Sequence, residues 1–308
     1  MNPITSLLAS HPFIVLDGAF ATELERLGFA INDPLWSAIA LYKAPDLVKK
    51  VHHLYLDAGA DIITSASYQA TIPGFLAKGF SPDEAETLLR KSLVLAKEAR
   101  DAYEGAHPER HPLVAASIGP YGAYLADGSE YRGHYGKSRE DLARFHRERL
   151  AVIEKDHPDL YACETIPALV EAEALAAVLH EGAGRQGWIA FSCKDGKTTC
   201  GGDAVKDCAA FLDAVPEVIA IGVNCTAPEY VTSLIEEIRK GTDKPVVVYP
   251  NSGEVYDVKN KVWQGAPVPY EDYTHQWYQA GARLIGGCCR TTPETIRAIA
   301  AYRDGLER

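Results

Sequence analysis

Three of the seven cysteines sit in patterns that can do chemistry. Cys225 ends the run Gly222-Val223-Asn224-Cys225, and Cys288 and Cys289 stand together in Gly286-Gly287-Cys288-Cys289-Arg290. Cys225 and Cys288 are 63 residues apart, which excludes a local zinc finger, whose ligands come in close pairs. If the chain brought them together, three thiolates could hold one Zn²⁺ and leave its fourth tetrahedral position open, the pattern of a catalytic zinc. The two glycines before Cys288 favour a crowded site, because they let backbone approach closely. Two other readings stay open: a vicinal Cys288–Cys289 disulfide, and cysteines acting as small buried hydrophobes. Cys163, Cys193 and Cys208 are expected in the core and Cys200 in a loop.

The elements that must position these thiols alternate regularly. Apolar, β-branched runs at 13–16, 61–64, 113–117, 160–163, 188–193, 218–223, 245–249 and 283–286 read as eight strands, continuous enough to be buried on both faces of a parallel sheet. Helices begin between them at recognisable signals. Ser81-Pro82-Asp83-Glu84 combines an N-cap, a proline at the first helical position and a capping-box glutamate. Ser138, Ala44-Pro45 and Thr292-Pro293 open three more. Gly59 and Gly281 stand where a left-handed residue ends a helix before a strand. Eight such alternations predict a single (β/α)₈ barrel over 1–308, with a doubly wound sheet as the competing arrangement. In a barrel, the long segments 119–136, 195–204 and 251–268 and the ends of strands six and eight all meet at the C-terminal mouth, where active sites form.

Composition narrows the class. Lys+Arg 31 against Asp+Glu 42 gives a net charge of −11, which argues against nucleic-acid partners. With 47% hydrophobic and 24% charged residues the chain is globular. It has neither the ~20-residue apolar stretch of a membrane span nor a basic, signal-like N-terminus. Sparse, odd-numbered cysteines suit reduced thiols in the cytoplasm. The oligomeric state is not readable, and a monomer is compatible.

Asp17-Gly18-Ala19 and the two cysteine motifs resemble those of the zinc-dependent homocysteine S-methyltransferases. Ser65-Ala66-Ser67-Tyr68-Gln69 and Gly128-Ser129-Glu130-Tyr131-Arg132-Gly133 extend the resemblance, the latter towards the S-methylmethionine branch. It runs from about Phe13 to the last helix. The resemblance implies a (β/α)₈ barrel that transfers a methyl group to the sulfur of homocysteine, giving methionine. It implies Cys225, Cys288 and Cys289 as Zn²⁺ ligands, and Asp17 and Glu164 near the homocysteine amino group. Asn224, Tyr68, Glu130 and Tyr131 complete the expected substrate contacts. Over these 308 residues, neither the folate and cobalamin domains of the cobalamin-dependent relatives nor the C-terminal oligomerisation extension of the betaine-using ones is expected.

The chemistry is coherent. A zinc-bound thiol is deprotonated and nucleophilic, and a sulfonium donor leaves as a neutral thioether. Tyrosine faces and carboxylates suit such a cation, so Tyr68, Tyr121, Tyr124, Tyr131 and Glu130 are expected to line its site. S-methylmethionine is favoured and S-adenosylmethionine is the alternative donor. Selenohomocysteine or selenocysteine is an alternative acceptor. A non-catalytic zinc or redox-sensing thiol protein is the rival from another class, as is a barrel enzyme using Glu164 for acid–base chemistry.

Overall fold

The computed structural model describes residues 2–31, 33, 35–257 and 262–306. Eight parallel strands form one sheet: β1 (Ile14–Val15), β2 (Ile62–Thr64), β3 (Leu113–Ile118), β4 (Leu160–Ile166), β5 (Gly187–Phe191), β6 (Val218–Asn224), β7 (Val246–Tyr249) and β10 (Ala282–Ile285). The sheet runs β1-β10-β7-β6-β5-β4-β3-β2, and a parallel bridge between Leu16 and Ile62 brings its two edges together. The result is the expected (β/α)₈ barrel. At the seam, the Asp61 carboxylate accepts a hydrogen bond from the Val15 amide at 2.8 Å and pairs with the buried Arg303 of the last helix.

Strand alternation sorts the apolar side chains into two layers. Ile14, Leu16, Ile62, Leu160, Trp188, Val247 and Leu284 pack inside the barrel. Ile4 joins them from an unforeseen N-terminal helix, Pro3–Leu8, and is fully buried. The larger layer lies between the strands and the surrounding helices. Gly59 and Gly281 adopt the expected left-handed conformation, with φ of +103° and +119°. Ser81 and Glu84 form the expected reciprocal capping box of the Pro82–Ala106 helix.

Four departures from the sequence pattern bear on the mouth. β4 continues to Ile166, so Glu164 lies within a strand and not beyond its end. β5 stops at Phe191 and leaves Cys193 in the following loop. The segment 251–268 contains an antiparallel hairpin, β8 (Val255–Asp257) with β9 (Val262–Gln264), while residues 258–261 of it lie outside the described residues. The 119–136 segment holds a short helix, Tyr121–Leu125, and a 3-10 turn, Ser129–Tyr131. Among the described residues, no helix is long and apolar enough to cross a membrane.

Candidate active site

The three cysteines meet at the C-terminal mouth because both segments that carry them are hung on the end of β7. The Cys225 amide donates to the Tyr249 carbonyl at 3.3 Å and the Cys288 amide to Pro250 at 2.7 Å. The Cys289 carbonyl accepts from the Ser252 amide at 2.9 Å. Cys225 takes a left-handed φ of +48° as the chain leaves β6. Gly286 is required by closeness, since a Cβ there would stand 2.6 Å from that of Leu16. Cys225 Sγ lies 2.6 Å from Cys288 Sγ and 3.7 Å from Cys289 Sγ, and all three sulfurs fall within 4.8 Å of one another.

This sulfur set fits a thiophilic metal. Bonds of ~2.3 Å at tetrahedral angles place two zinc-bound sulfurs roughly 3.8 Å apart. The Cys225–Cys289 separation has that value, and a metal among the three would spread the tighter pair. All seven cysteines are free thiols, so Cys288 and Cys289 form no vicinal disulfide. Hydrogen bonds from Cys225 and Cys288 hold Cys289 well below the usual thiol range, while hydrogen bonding to Cys225 and Cys289, then burial, holds Cys288 above it. The other buried thiols, Cys163, Cys193 and Cys208, are pushed upward by desolvation, as inert packing cysteines are.

Two buried carboxylates, Asp17 and Glu164, share the mouth with the thiols. Asp17 follows β1, and its Oδ2 accepts from the Thr64 amide at 2.7 Å and the Thr64 hydroxyl at 3.0 Å. Its own carbonyl accepts from the Gly287 amide at 3.1 Å, which ties it to the cysteine segment. Burial nevertheless pushes its carboxyl up to about 8. Glu164 accepts from the Ser117 hydroxyl of β3 and meets the hydroxyl of Tyr249, and burial raises it to about 7. The Glu164 charge raises Asp17 further, so the two acids sense each other. Such a pair is short of a cation. Glu164 is aimed by an irregularity in β4: the register with β5 shifts between Cys163 and Ile166, and Thr165 takes a φ of +61°. Asn224 braces that turn. Its Oδ1 accepts from the Thr165 amide at 2.6 Å, and its Nδ2 donates to the Thr165 hydroxyl at 2.8 Å.

The remaining expected residues divide. Tyr131 is 44% exposed as a residue, but its hydroxyl reaches Cys225 Sγ at 3.6 Å. Tyr68 has its hydroxyl buried among Thr165, Glu130, Cys225 and Glu164, and burial holds it well above the usual phenol range. Glu130 Oε2 is buried without a hydrogen-bond partner among the described residues, and desolvation followed by the Cys225 charge lifts the acid to about 7. Tyr121 and Tyr124 do not join this group. Their rings pack on Phe145 of the Arg139–Ile153 helix at 5.1 and 5.6 Å, and the cation over Tyr121 is Lys137. The aromatic count of the loop did not separate these inward and outward positions.

Sequence reasoning missed Thr64, Ser117 and Tyr249, which hold the two acids, Thr165, whose turn aims Glu164, and Arg149, which holds the loops above them. Serine and threonine carry no signal of their own. Arg149 had one: it shares an apolar helix face with Leu142 and Ile153, all three of them buried.

The comparisons with known proteins agree with this geometry. A family model described as homocysteine S-methyltransferase matches residues 14–302. Over 313 residues the chain is 50% identical to the homocysteine S-methyltransferase YbgG of Bacillus subtilis, covering 100% of this chain and 99% of that protein. It is also 50% identical over 303 residues to the selenocysteine Se-methyltransferase of Brassica oleracea var. italica, covering 93% of this chain and 88% of that one. The crystal structure of the homocysteine methyltransferase MmuM from Escherichia coli in its metallated form matches with a TM-score of 0.89 and 44% identity, covering 97% of this chain and 99% of that chain. The chain therefore belongs to the homocysteine S-methyltransferase family.

Proposed function

We propose that this protein transfers a methyl group from a sulfonium donor, S-methylmethionine in preference to S-adenosylmethionine, to L-homocysteine, giving methionine, and that it does so with one zinc ion held by Cys225, Cys288 and Cys289. The observation that carries the reading is the convergence of three sulfurs within 4.8 Å at the barrel mouth, which they share with two buried acids. The metallated form of the similar MmuM supports it. A zinc bound there supplies a Lewis acid that lets a thiol lose its proton at neutral pH.

The chain's own residues do the rest. Asp17 and Glu164 receive the ammonium group of homocysteine, and an incoming cation offsets the desolvation that raises both acids. Asn224 fixes the Thr165 turn and so the direction of Glu164. Glu130, with its unpartnered oxygen, and the faces of Tyr68 and Tyr131 accept the donor cation on the other side. In the transfer, a sulfur lone pair of homocysteine forms the new bond to the methyl carbon. The donor's carbon–sulfur bond breaks, and its electron pair stays on a neutral thioether. The homocysteine thiol proton leaves to solvent. A compact donor suits the Gly- and Tyr-rich 119–136 segment, which can shield the methyl from water. The substrates are small molecules, and the expected compartment is the cytoplasm.

The deciding experiment measures metal content and kcat/KM for each sulfonium at saturating homocysteine. About one zinc per chain and a higher kcat/KM for S-methylmethionine are expected. A clear preference for S-adenosylmethionine would overturn the donor assignment, and full activity after complete metal removal would overturn the zinc. The 50% identity to a selenocysteine Se-methyltransferase favours one second acceptor reading, selenocysteine, which the same assay tests by substitution.

A further inference from the structure

We propose that Arg149, on the outer helix Arg139–Ile153, is a positioning residue for the methyl-donor side of the site, holding Tyr68 and the root of the 119–136 segment in place over the thiols; this rests on the donor-binding role proposed above for Tyr68 and Glu130. The side chain is 2% exposed. Its Nη1 donates to the Gly119 carbonyl at 3.0 Å, and its Nη2 donates to the Tyr68 carbonyl at 2.8 Å and to that of Ser67. A longer contact of 3.5 Å reaches the Ser117 carbonyl. Among the described residues, every hydrogen bond it makes goes to a backbone carbonyl. Three of these carbonyls come from the loop after β2 or the end of β3, segments about 50 residues apart in sequence. A planar guanidinium fork can gather such convergent acceptors, and an ammonium cannot reproduce the arrangement.

The two gathered segments are pressed together under the clamp. A Cβ at Gly119 would stand 2.4 Å from the Tyr68 carbonyl oxygen and 2.8 Å from its ring. Just beyond that contact, a buried pair bridging this helix and the next grips the segment a second time. His146 Nε2 lies 2.9 Å from Glu171 Oε1, and that oxygen accepts from the Tyr121 amide at 2.6 Å. The segment that carries Glu130 and Tyr131 is thus rooted at Gly119 by Arg149 and at Tyr121 by Glu171 of the next helix, Leu169–Glu181, which His146 holds in place. The cysteines are not, because they hang on β7. The arginine accordingly acts through its hydrogen bonds on the donor groups, reaches Glu164 only through its charge, which lysine keeps, and leaves the metal centre alone. Burial lowers it only to about 10, so it stays charged at neutral pH.

Two variants test this, each purified with metal and compared with the parent. Arg149→Lys keeps a charge and loses the fork. Gly119→Ala keeps the arginine and pushes Tyr68 from the other side. Both are expected to retain metal content and to bind homocysteine within about threefold of the parent, while the donor KM rises roughly tenfold to a hundredfold, as small misplacements of a bound substrate do. A buried residue that only stabilised the fold would lower the active fraction, and so kcat, without this selective rise. An unchanged donor KM in a folded, metal-loaded variant overturns the proposal, as does an equal weakening of donor and homocysteine. If Arg149→Lys fails to fold, Gly119→Ala alone decides. Failure of the underlying reading is visible separately, as an absence of methyl transfer by the parent from either sulfonium.

Discussion

The two halves of the barrel mouth are built in opposite ways. On the β6, β7 and β10 side the reactive groups are three cysteines placed by backbone: amide bonds to Tyr249, Pro250 and Ser252, a left-handed Cys225, and a glycine at 286 with no room for a side chain. On the β1 to β4 side the groups are acids met largely by side chains: the Thr64 hydroxyl joins its amide on Asp17, the Ser117 and Tyr249 hydroxyls meet Glu164, and Asn224 braces the turn that aims it. The three convergent thiols could hold a metal, and the two desolvated acids are short of a cation. The halves meet on β6 and β7, since Asn224 and Tyr249 serve Glu164 from the strands that also hold Cys225.

The sharpest way to break the comparison is to remove a thiol. Cys289→Ser is expected to lose the metal and essentially all activity while the barrel stays folded, because the cysteine lies at the rim; metal analysis and a melting curve check it. Cys208→Ser, in the core away from the mouth, should keep both metal and turnover. Normal metal content in Cys289→Ser would end the metal assignment.

Removing an acid should leave the metal and weaken the substrate. A buried charge-assisted hydrogen bond contributes about 1.5–3 kcal/mol, so Glu164→Gln should weaken homocysteine binding by roughly tenfold to a hundredfold at unchanged metal content. Calorimetric titration reads this directly, and unaltered affinity would give Glu164 another task.

A gentler probe is pH. Burial raises Asp17 to about 8 and Glu164 to about 7 in the folded chain, so the folded state retains protons that the unfolded chain has released above the usual carboxylate range. Their stabilisation is full below about pH 4 and is lost as pH rises through 7 to 8. Thermal melts of the chelator-treated protein should therefore show stability falling between pH 5 and 8, with Asp17→Asn flattening the fall. Homocysteine reverses the bias, because its ammonium favours the ionised acids. Binding should release protons near pH 7 and tighten by up to about tenfold from pH 6 to 8. Equal pH slopes for parent and Asp17→Asn would show that Asp17 does not titrate in this range.

The smallest effect belongs to the residue that touches the thiol half from the donor loop. Tyr131→Phe removes the hydroxyl beside Cys225 and should lower turnover by about threefold, the scale of one neutral hydrogen bond, without loss of metal. A hundredfold loss would make Tyr131 part of the chemistry and not of its surroundings.

The sequence was most legible where residue type carries the chemistry by itself. Cysteine in Asn-Cys and Gly-Gly-Cys-Cys has few uses, so Cys225, Cys288 and Cys289 stood out. Ser117 and Thr64 did not, because such residues occur everywhere and matter only for what they face. The strand pattern located all eight barrel strands but ended the fourth too early, at residue 163. A shifted register with β5 and a left-handed Thr165 carry β4 past Glu164, and neither has an apolar signature. Tyr121 and Tyr131 looked alike as loop aromatics; one faces Phe145 and the other Cys225.

By itself, then, the sequence determined the order of strands and helices, the left-handed turns at Gly59 and Gly281, and which thiols and acids were available. These follow from local rules: apolar period, caps, and the φ that glycine permits. Only the closed barrel decided that Cys225 would meet Cys288 across 63 residues, that Asp17 would sit beside Gly287, and that Arg149 would reach four carbonyls from the outer layer. It alone decided the protonation of the acids as well. A carboxylate's charge depends on how much water it has lost and which charges lie near it, and both are properties of the assembled mouth.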